Sequence, residues 1–120
     1  MIVVVDATPP TVELTPIRQG QGPESRRVEI GWKVEDAHPA ERPVALSFAA
    51  DRQGEWQQIG DWQADTGRHL WTADPDVPAK VYLRVTARDA AGNESAAEAP
   101  DAVVFDQARP RVRIMSVQPR

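Results

Sequence analysis

The stretch Lys80-Val81-Tyr82-Leu83-Arg84-Val85-Thr86-Ala87-Arg88 is the longest regular alternation of apolar and polar residues in the chain. Successive side chains of a β-strand point to opposite faces of a sheet, so the apolar residues share one face. These are Val81, Leu83, Val85 and Ala87. The segment Asp89-Ala90-Ala91-Gly92-Asn93 follows, and Gly92 and Asn93 tolerate a positive φ. The pattern predicts a half-buried strand over 80–88 that ends in a tight turn.

Six other segments have the signature of short strands between turn residues. They are predicted at 12–15, 28–34, 44–49, 56–59, 68–72 and 101–106, with loops at 18–26, 35–43 and 74–78. Alternation places Trp32 on the inward face of the second strand, and Trp71 is expected to point inward in preference to Leu70. Eleven prolines and seven glycines interrupt the chain too often for long helices. The sequence therefore predicts an all-β, seven-stranded antiparallel β-sandwich.

A boundary motif occurs twice in the chain. The segment Val4-Val5-Asp6-Ala7-Thr8-Pro9-Pro10-Thr11-Val12-Glu13-Leu14 aligns without a gap with Val104-Phe105-Asp106-Gln107-Ala108-Arg109-Pro110-Arg111-Val112-Arg113-Ile114, at an offset of 100 residues. About 100 residues is the length of one immunoglobulin-type sandwich. We therefore expect the tail of a preceding module at 1–6, one complete module at 7–106 and the start of a following module at 107–120. Chance similarity between two proline-bounded strands is the alternative.

The strand with Val28, Ile30 and Trp32 resembles the second strand of fibronectin type III domains, and the segment 82–95 resembles their sixth strand and its turn. The Ala-x-Asp-x-x-Gly-Asn turn also resembles bacterial immunoglobulin-like and hyalin-repeat modules. The middle of the chain is similar to the domain of the Ser-Thr-rich GPI-anchored cell-wall family. The resemblance implies an Ig-like or fibronectin-type-III-like sandwich. Tyr82 departs from the fibronectin pattern, because Val81 holds the inward position where a tyrosine corner would start.

Composition narrows the classes of function. The formal net charge is −4, which argues against a nucleic-acid surface. The chain has no cysteine, so disulfides and thiolate zinc sites are excluded. No stretch approaches the roughly 18 apolar residues of a membrane span. The apolar run Ile2–Val5 is shorter than the core of a signal peptide. No nucleophile-elbow serine, His-x-x-x-His motif or phosphate-binding glycine loop is present, so we predict no catalytic residues.

Calcium is the one cofactor for which the sequence offers ligands. Calcium takes oxygen ligands from loop carboxylates and carbonyls. Asp36, Asp89 and Asn93 are the candidates, with Glu35 and Asp6 near them, because the two loops that hold them lie at one end of such a sandwich. In the alternative interpretation, Asp89 and Asn93 shape the turn through hydrogen bonds to the backbone. No Asp-x-Asp-x-Asp-Gly spacing supports a dedicated metal site.

Trp56 and Trp62 are the candidate ligand-binding residues, because they flank a short predicted hairpin. If both are exposed, their flat faces can stack on sugar rings. The alternative is that they pack into a small core.

The expected function is that of a non-catalytic structural or spacer module of a larger secreted or cell-surface protein. One alternative is a carbohydrate- or protein-binding module, and another is an accessory domain of an enzyme whose catalytic part lies elsewhere in the chain. The expected partners are neighbouring modules of the same chain, and then a polysaccharide or another surface protein. The resemblance to bacterial modules implies an extracellular or cell-envelope location.

Overall fold

The computed structural model describes residues 8–105, in which nine β-strands and one short 3₁₀ turn at Gly22–Glu24 form two antiparallel sheets. The strands are β1 (Thr11–Leu14), β2 (Arg18–Gln19), β3 (Arg27–Glu35), β4 (Pro39–Ala49), β5 (Gln57–Gln63), β6 (Arg68–Thr72), β7 (Lys80–Asp89), β8 (Glu94–Glu98) and β9 (Val103–Val104). The flanking segments predicted at 1–6 and 107–120 lie outside the described residues, as do Asp6 and Asp106.

The first sheet is built around β3. β1 and β2 pair with successive parts of β3, and the Thr15 N–H donates to the Gly31 carbonyl at 3.0 Å between them. The register shifts by one residue across this junction, because Leu14 lies opposite Trp32 and Arg18 lies opposite Glu29. β6 pairs with the N-terminal part of β3.

The second sheet has the order β5-β4-β7-β8. β9 pairs with the start of β7, where Lys80 lies opposite Val104, and the Ala99 N–H donates to the Leu83 carbonyl at 2.9 Å between β8 and β9. β7 therefore has hydrogen-bonded neighbours along both of its edges.

The core lies between the sheets and follows the predicted alternation. Except for Val34 near the end of β3, which is partly buried, the inward residues of β3, β4 and β7 are buried: Val28, Ile30, Trp32, Val44, Leu46, Phe48, Val81, Leu83, Val85 and Ala87. Trp71 is buried as predicted, and its ring stacks on Phe48 with a centroid distance of 5.3 Å. Phe105 meets the same indole edge-on at 6.0 Å. Tyr82 points outward, which confirms that Val81 occupies the inward position at the start of β7.

Several strand boundaries differ from the prediction. β8 was not predicted, because Glu94-Ser95-Ala96-Ala97-Glu98 has low intrinsic strand propensity and pairs only because β7 offers it an edge. β2 and the first residues of β4 lie in segments predicted as loops. β5 continues to Gln63, because Gly60 adopts a φ of +69° where a turn was expected. The described strands therefore number nine, in place of the predicted seven.

Leu83 and Leu70 form a matched pair of leucines for testing the core. Leu83 is 1% exposed and Leu70 is 55% exposed. Leu83→Ala should lower the free energy of unfolding by about 2–5 kcal/mol, because it removes buried methyl groups and leaves a cavity. Leu70→Ala should change it by no more than about 0.5 kcal/mol. Urea unfolding of both variants measures the difference, and equal effects would show that β7 does not face the core.

Candidate functional site

The outward surface of the β5-β4-β7-β8 sheet carries three arginine–aromatic pairs. Cross-strand partners in an antiparallel sheet point to the same face. Arg84 therefore shares a face with Ser47 of β4 and Glu98 of β8. We call this surface the arginine–aromatic face, and its members are Arg52, Trp56, Trp62, Tyr82, Arg84 and Arg88.

Each pair places a guanidinium over an aromatic ring at cation–π distance. The Cζ-to-centroid distances are 4.6 Å for Arg52 and Tyr82, 4.2 Å for Arg84 and Trp56, and 4.0 Å for Arg88 and Trp62. All three lie within the roughly 6 Å at which the ring quadrupole attracts a cation. The Lys80 ammonium adds a longer contact with the Tyr82 ring at 5.9 Å.

Small residues on β4 make the two tryptophan pairs possible. Arg84 and Arg88 belong to β7, and the tryptophans lie in or just before β5, so β4 runs between the partners. Two strand spacings, about 10 Å, separate β7 from β5. The outward positions of β4 along this path are Ala45, Ser47 and Ala49, all of them buried. Their short side chains leave room for the arginine stems to cross the strand.

Arg52 joins one end of the arginine–aromatic face to the β8–β9 connection through hydrogen bonds. It lies in the turn between β4 and β5, and its Nη2 donates to the carbonyls of Ala99 at 2.9 Å and Pro100 at 2.7 Å. Its Nη1 donates to Glu98 Oε1 at 3.2 Å, and its own carbonyl accepts the Trp56 indole N–H at 3.3 Å. These contacts tie the β4–β5 turn to the β8–β9 connection, so Arg52 holds the aromatic side chains in place.

The predicted ligand-binding residues Trp56 and Trp62 lie on this one face and are both half-buried. In each case an arginine covers a ring face that a sugar would use for stacking. The contribution of Arg52, Arg84 and Arg88 to this surface was not predicted from the sequence. The available signal was the alternation along β7, which places Tyr82, Arg84 and Arg88 together on its outward face.

The calcium candidates lie at the end of the sandwich where β3 and β7 finish. The Ala90 N–H donates to the His38 carbonyl at 2.8 Å, which joins the loop of Asp36 to the loop of Asp89. Asp36 Oδ2 accepts the His38 N–H at 2.9 Å. Within residues 8–105, no group of three or more His, Asp and Glu side chains is arranged as metal ligands. The geometry favours the alternative interpretation, in which these side chains shape the loops through hydrogen bonds to the backbone. Calcium binding stays a prediction.

Asp89 is the most buried carboxylate of this loop cluster and organises the β7–β8 turn. Its Oδ1 accepts the N–H groups of Ala91 at 2.9 Å and Asn93 at 2.8 Å, and its Oδ2 accepts the Asn93 side-chain amide at 2.9 Å. Burial raises the pKa of this carboxyl, but the hydrogen bonds from Asn93, Ala91 and Gly92 together hold the pKa below its ordinary value. Asp89 is therefore a buried anion that the turn keeps ionised.

Two of the grooves on the described surface lie away from the arginine–aromatic face. One, of about 460 Å³, lies between residues 14–19 and residues 99–103, where both edge strands are interrupted. The other, of about 550 Å³, lies between the edges of β5 and β6 and has His69, Asp74 and Asp76 in its walls. His38 lies apart from both, in the exposed loop after β3. The described residues include no helix long and apolar enough to cross a membrane.

Comparison with known proteins found no matching family model, no matching curated protein and no matching solved structure. The resemblance to fibronectin type III domains therefore rests on the sequence motifs alone, and the two-sheet architecture agrees with it in general kind.

The lowered pKa of Asp89 predicts a specific acid sensitivity. Because the folded-state pKa is lowered, the stabilisation is present above the unfolded-state pKa of about 4 and is lost as pH falls through the folded-state pKa. Asp89→Asn should be less stable than the wild type near neutral pH, and the gap should narrow as the solution becomes acidic. Urea unfolding as a function of pH measures this, with the exposed Asp74→Asn as control. A constant gap at all pH values would contradict the assignment.

The Arg88–Trp62 contact predicts a measurable coupling energy. A double-mutant cycle of Arg88→Ala and Trp62→Ala should give a coupling of about 0.5–2 kcal/mol in the free energy of unfolding. A control cycle of Arg68→Ala with Trp62→Ala should give a coupling near zero, because Arg68 lies on β6 in the other sheet. Equal couplings in the two cycles would show that the arginine and the indole do not interact specifically.

Proposed function

We propose that the chain contains one seven-stranded Ig-like module of fibronectin type III kind, a non-catalytic structural unit of a larger secreted or cell-surface protein. The strand pairing supports the count of seven. β1 and β2 follow one another along β3, and β8 and β9 follow one another along β7. Counting each interrupted strand once leaves three strands in one sheet and four in the other, the division found in fibronectin-type sandwiches.

The single observation that carries the structural role is the placement of the first and last strands of the described residues, β1 and β9. Thr11 lies opposite Glu35, at the end of the sandwich where β7 finishes beside Pro39. Val104 lies opposite Lys80, where β7 begins. β7 has 10 residues, and at about 3.3 Å per residue it separates the two ends by roughly 33 Å. A module that the chain enters at one end and leaves at the other suits a linear array.

The repeated boundary motif adds independent support. The Asp and Pro residues recur at an offset of 100 residues, and the module between them corresponds to 7–106. Proline suits such joints, because it fixes φ and resists continued sheet pairing. On this proposal the neighbouring modules of the same chain are the main partners, and the protein works outside the cell or in the cell envelope.

A binding role is the second candidate, and the arginine–aromatic face favours it. Two half-buried tryptophans and three arginines lie together on the outward face of one sheet. Such a surface suits recognition of a polysaccharide or a surface protein, either in the module itself or as an accessory to an enzyme elsewhere in the chain.

Small-angle X-ray scattering tests the linear arrangement. A tandem protein with two copies of residues 7–106 joined directly reproduces the 100-residue offset. Its maximum dimension should exceed that of the single copy by at least about 33 Å, because the copies stack end to end. A tandem with a flexible Gly-Ser insert at the joint is the control, and it should show a broader distribution of distances. A compact tandem with little added length would contradict the spacer role.

A further inference from the structure

The part of the arginine–aromatic face formed by Arg52, β7 and β8 carries more cationic than carboxylate side chains, whereas the whole protein is acidic. The chain has a formal net charge of −4. Arg52 and the outward positions of β7 and β8 together bring four cationic and two carboxylate side chains onto this face: Arg52, Lys80, Arg84 and Arg88 against Glu94 and Glu98. A local excess of positive charge on an acidic protein attracts anions to that surface in preference to others.

The guanidinium groups on this face are held in place. Arg84 and Arg88 each lie against an indole ring, at 4.2 Å and 4.0 Å. They are separated by four residues along β7, which corresponds to about 13 Å. A mobile arginine loses rotamer entropy when it binds a ligand, and stacking has already fixed these two side chains. The face is therefore preorganised to receive two oxyanions spaced along one direction.

The terminal nitrogens of these two arginines form few hydrogen bonds within the described part of the chain. Arg84 Nε is buried without a hydrogen-bond partner and is therefore out of reach of a surface ligand, while Arg84 Nη1 is 4.0 Å from Glu98 Oε2, which is too long for a hydrogen bond. Arg88 donates from Nε to the Arg42 carbonyl at 3.2 Å. Among residues 8–105, no acceptor lies within hydrogen-bond distance of its terminal nitrogens. Guanidinium groups with open donors match the planar geometry of a carboxylate.

The backbone of the two central strands of this face is not available to a ligand. β4 pairs with β5 and β7, and β7 pairs with β4 and with β8 and β9, so both central strands are hydrogen-bonded on each side. A peptide that adds a strand needs an open edge, which in this sheet belongs to β5 and β8, whereas Arg84 and Arg88 lie on the central strand β7. A ligand that is recognised by its charge and by hydrogen bonds from arginine fits this surface better than a peptide that adds a strand.

From these observations we propose that the arginine–aromatic face binds an acidic polysaccharide whose sugar carboxylates contact Arg84, Arg88 and Lys80. The half-buried indoles of Trp56 and Trp62 hold the guanidinium groups in place for these contacts. This inference rests on the binding role proposed above. It differs from the predicted stacking of sugars on Trp56 and Trp62, because the arginines cover those ring faces and contact the ligand themselves. The spacer role does not depend on it, since the scattering experiment tests the array separately.

Lys80 and Lys33 supply a matched pair of variants. Both are exposed, Lys80 beside Tyr82 on the arginine–aromatic face and Lys33 on β3 in the other sheet. Lys80→Glu and Lys33→Glu change the net charge equally and leave the core untouched. With the full chain and polygalacturonate oligomers in calorimetry, Lys80→Glu should weaken binding about tenfold, the loss of one charged hydrogen bond. Lys33→Glu should weaken it less than about twofold.

Further binding measurements test the ligand class and the role of charge. Binding of polygalacturonate should weaken as salt increases, and neutral dextran should not bind, because the carboxylates provide the main contacts. Glu94→Gln should strengthen binding, since it removes a carboxylate opposite Arg88. Absence of binding to polygalacturonate, equal effects of the two lysine variants, or equal affinity for dextran would each overturn the proposal. Equal affinity for polyglutamate or for a single-stranded oligonucleotide would overturn the assignment to a polysaccharide.

Discussion

β7 is hydrogen-bonded along both edges, to β4 on one side and to β8 and β9 on the other, and this pairing fixes its register. Because side chains alternate along a strand, the same register sends Val81, Leu83 and Val85 into the core and Arg84 and Arg88 outward. A slip of one residue would exchange the two sets and bury guanidinium groups in an apolar interior. The core and the arginine–aromatic face are therefore two consequences of one strand pairing.

The outward face shows how a sheet surface can be ordered without a second layer. Buried small residues on β4 open a path, arginines from β7 follow it, and tryptophans near β5 cover them. Each cation–π contact is individually weak, and Arg52 adds hydrogen bonds that tie the β4–β5 turn to the β8–β9 connection at one end of this surface. The tryptophans that were predicted to stack on sugars thus hold the arginines in place. The guanidinium groups of the arginines are the groups that a charged ligand would contact.

The sequence was sufficient to predict the features that local alternation determines. The course of β7, the inward position of Trp32 and Trp71 and the outward position of Tyr82 all follow from a two-residue period. β8 could not be predicted, since its Ala and Glu residues form a strand only beside β7. The extension of β5 depends on the conformation of Gly60. The arginine–tryptophan pairs could not be predicted either, because they join strands that are not neighbours.

The central claim is that Arg84 and Arg88 lie across β4 and stack on the indoles of Trp56 and Trp62. Nuclear magnetic resonance of the wild-type protein tests this directly, through the chemical shifts of the δ-methylene protons of the two arginines. Protons over the face of an indole ring experience its ring current, so we expect large upfield shifts for both residues and distinct signals for the two protons of each methylene. Random-coil shifts with averaged signals at Arg84 and Arg88 would contradict the account.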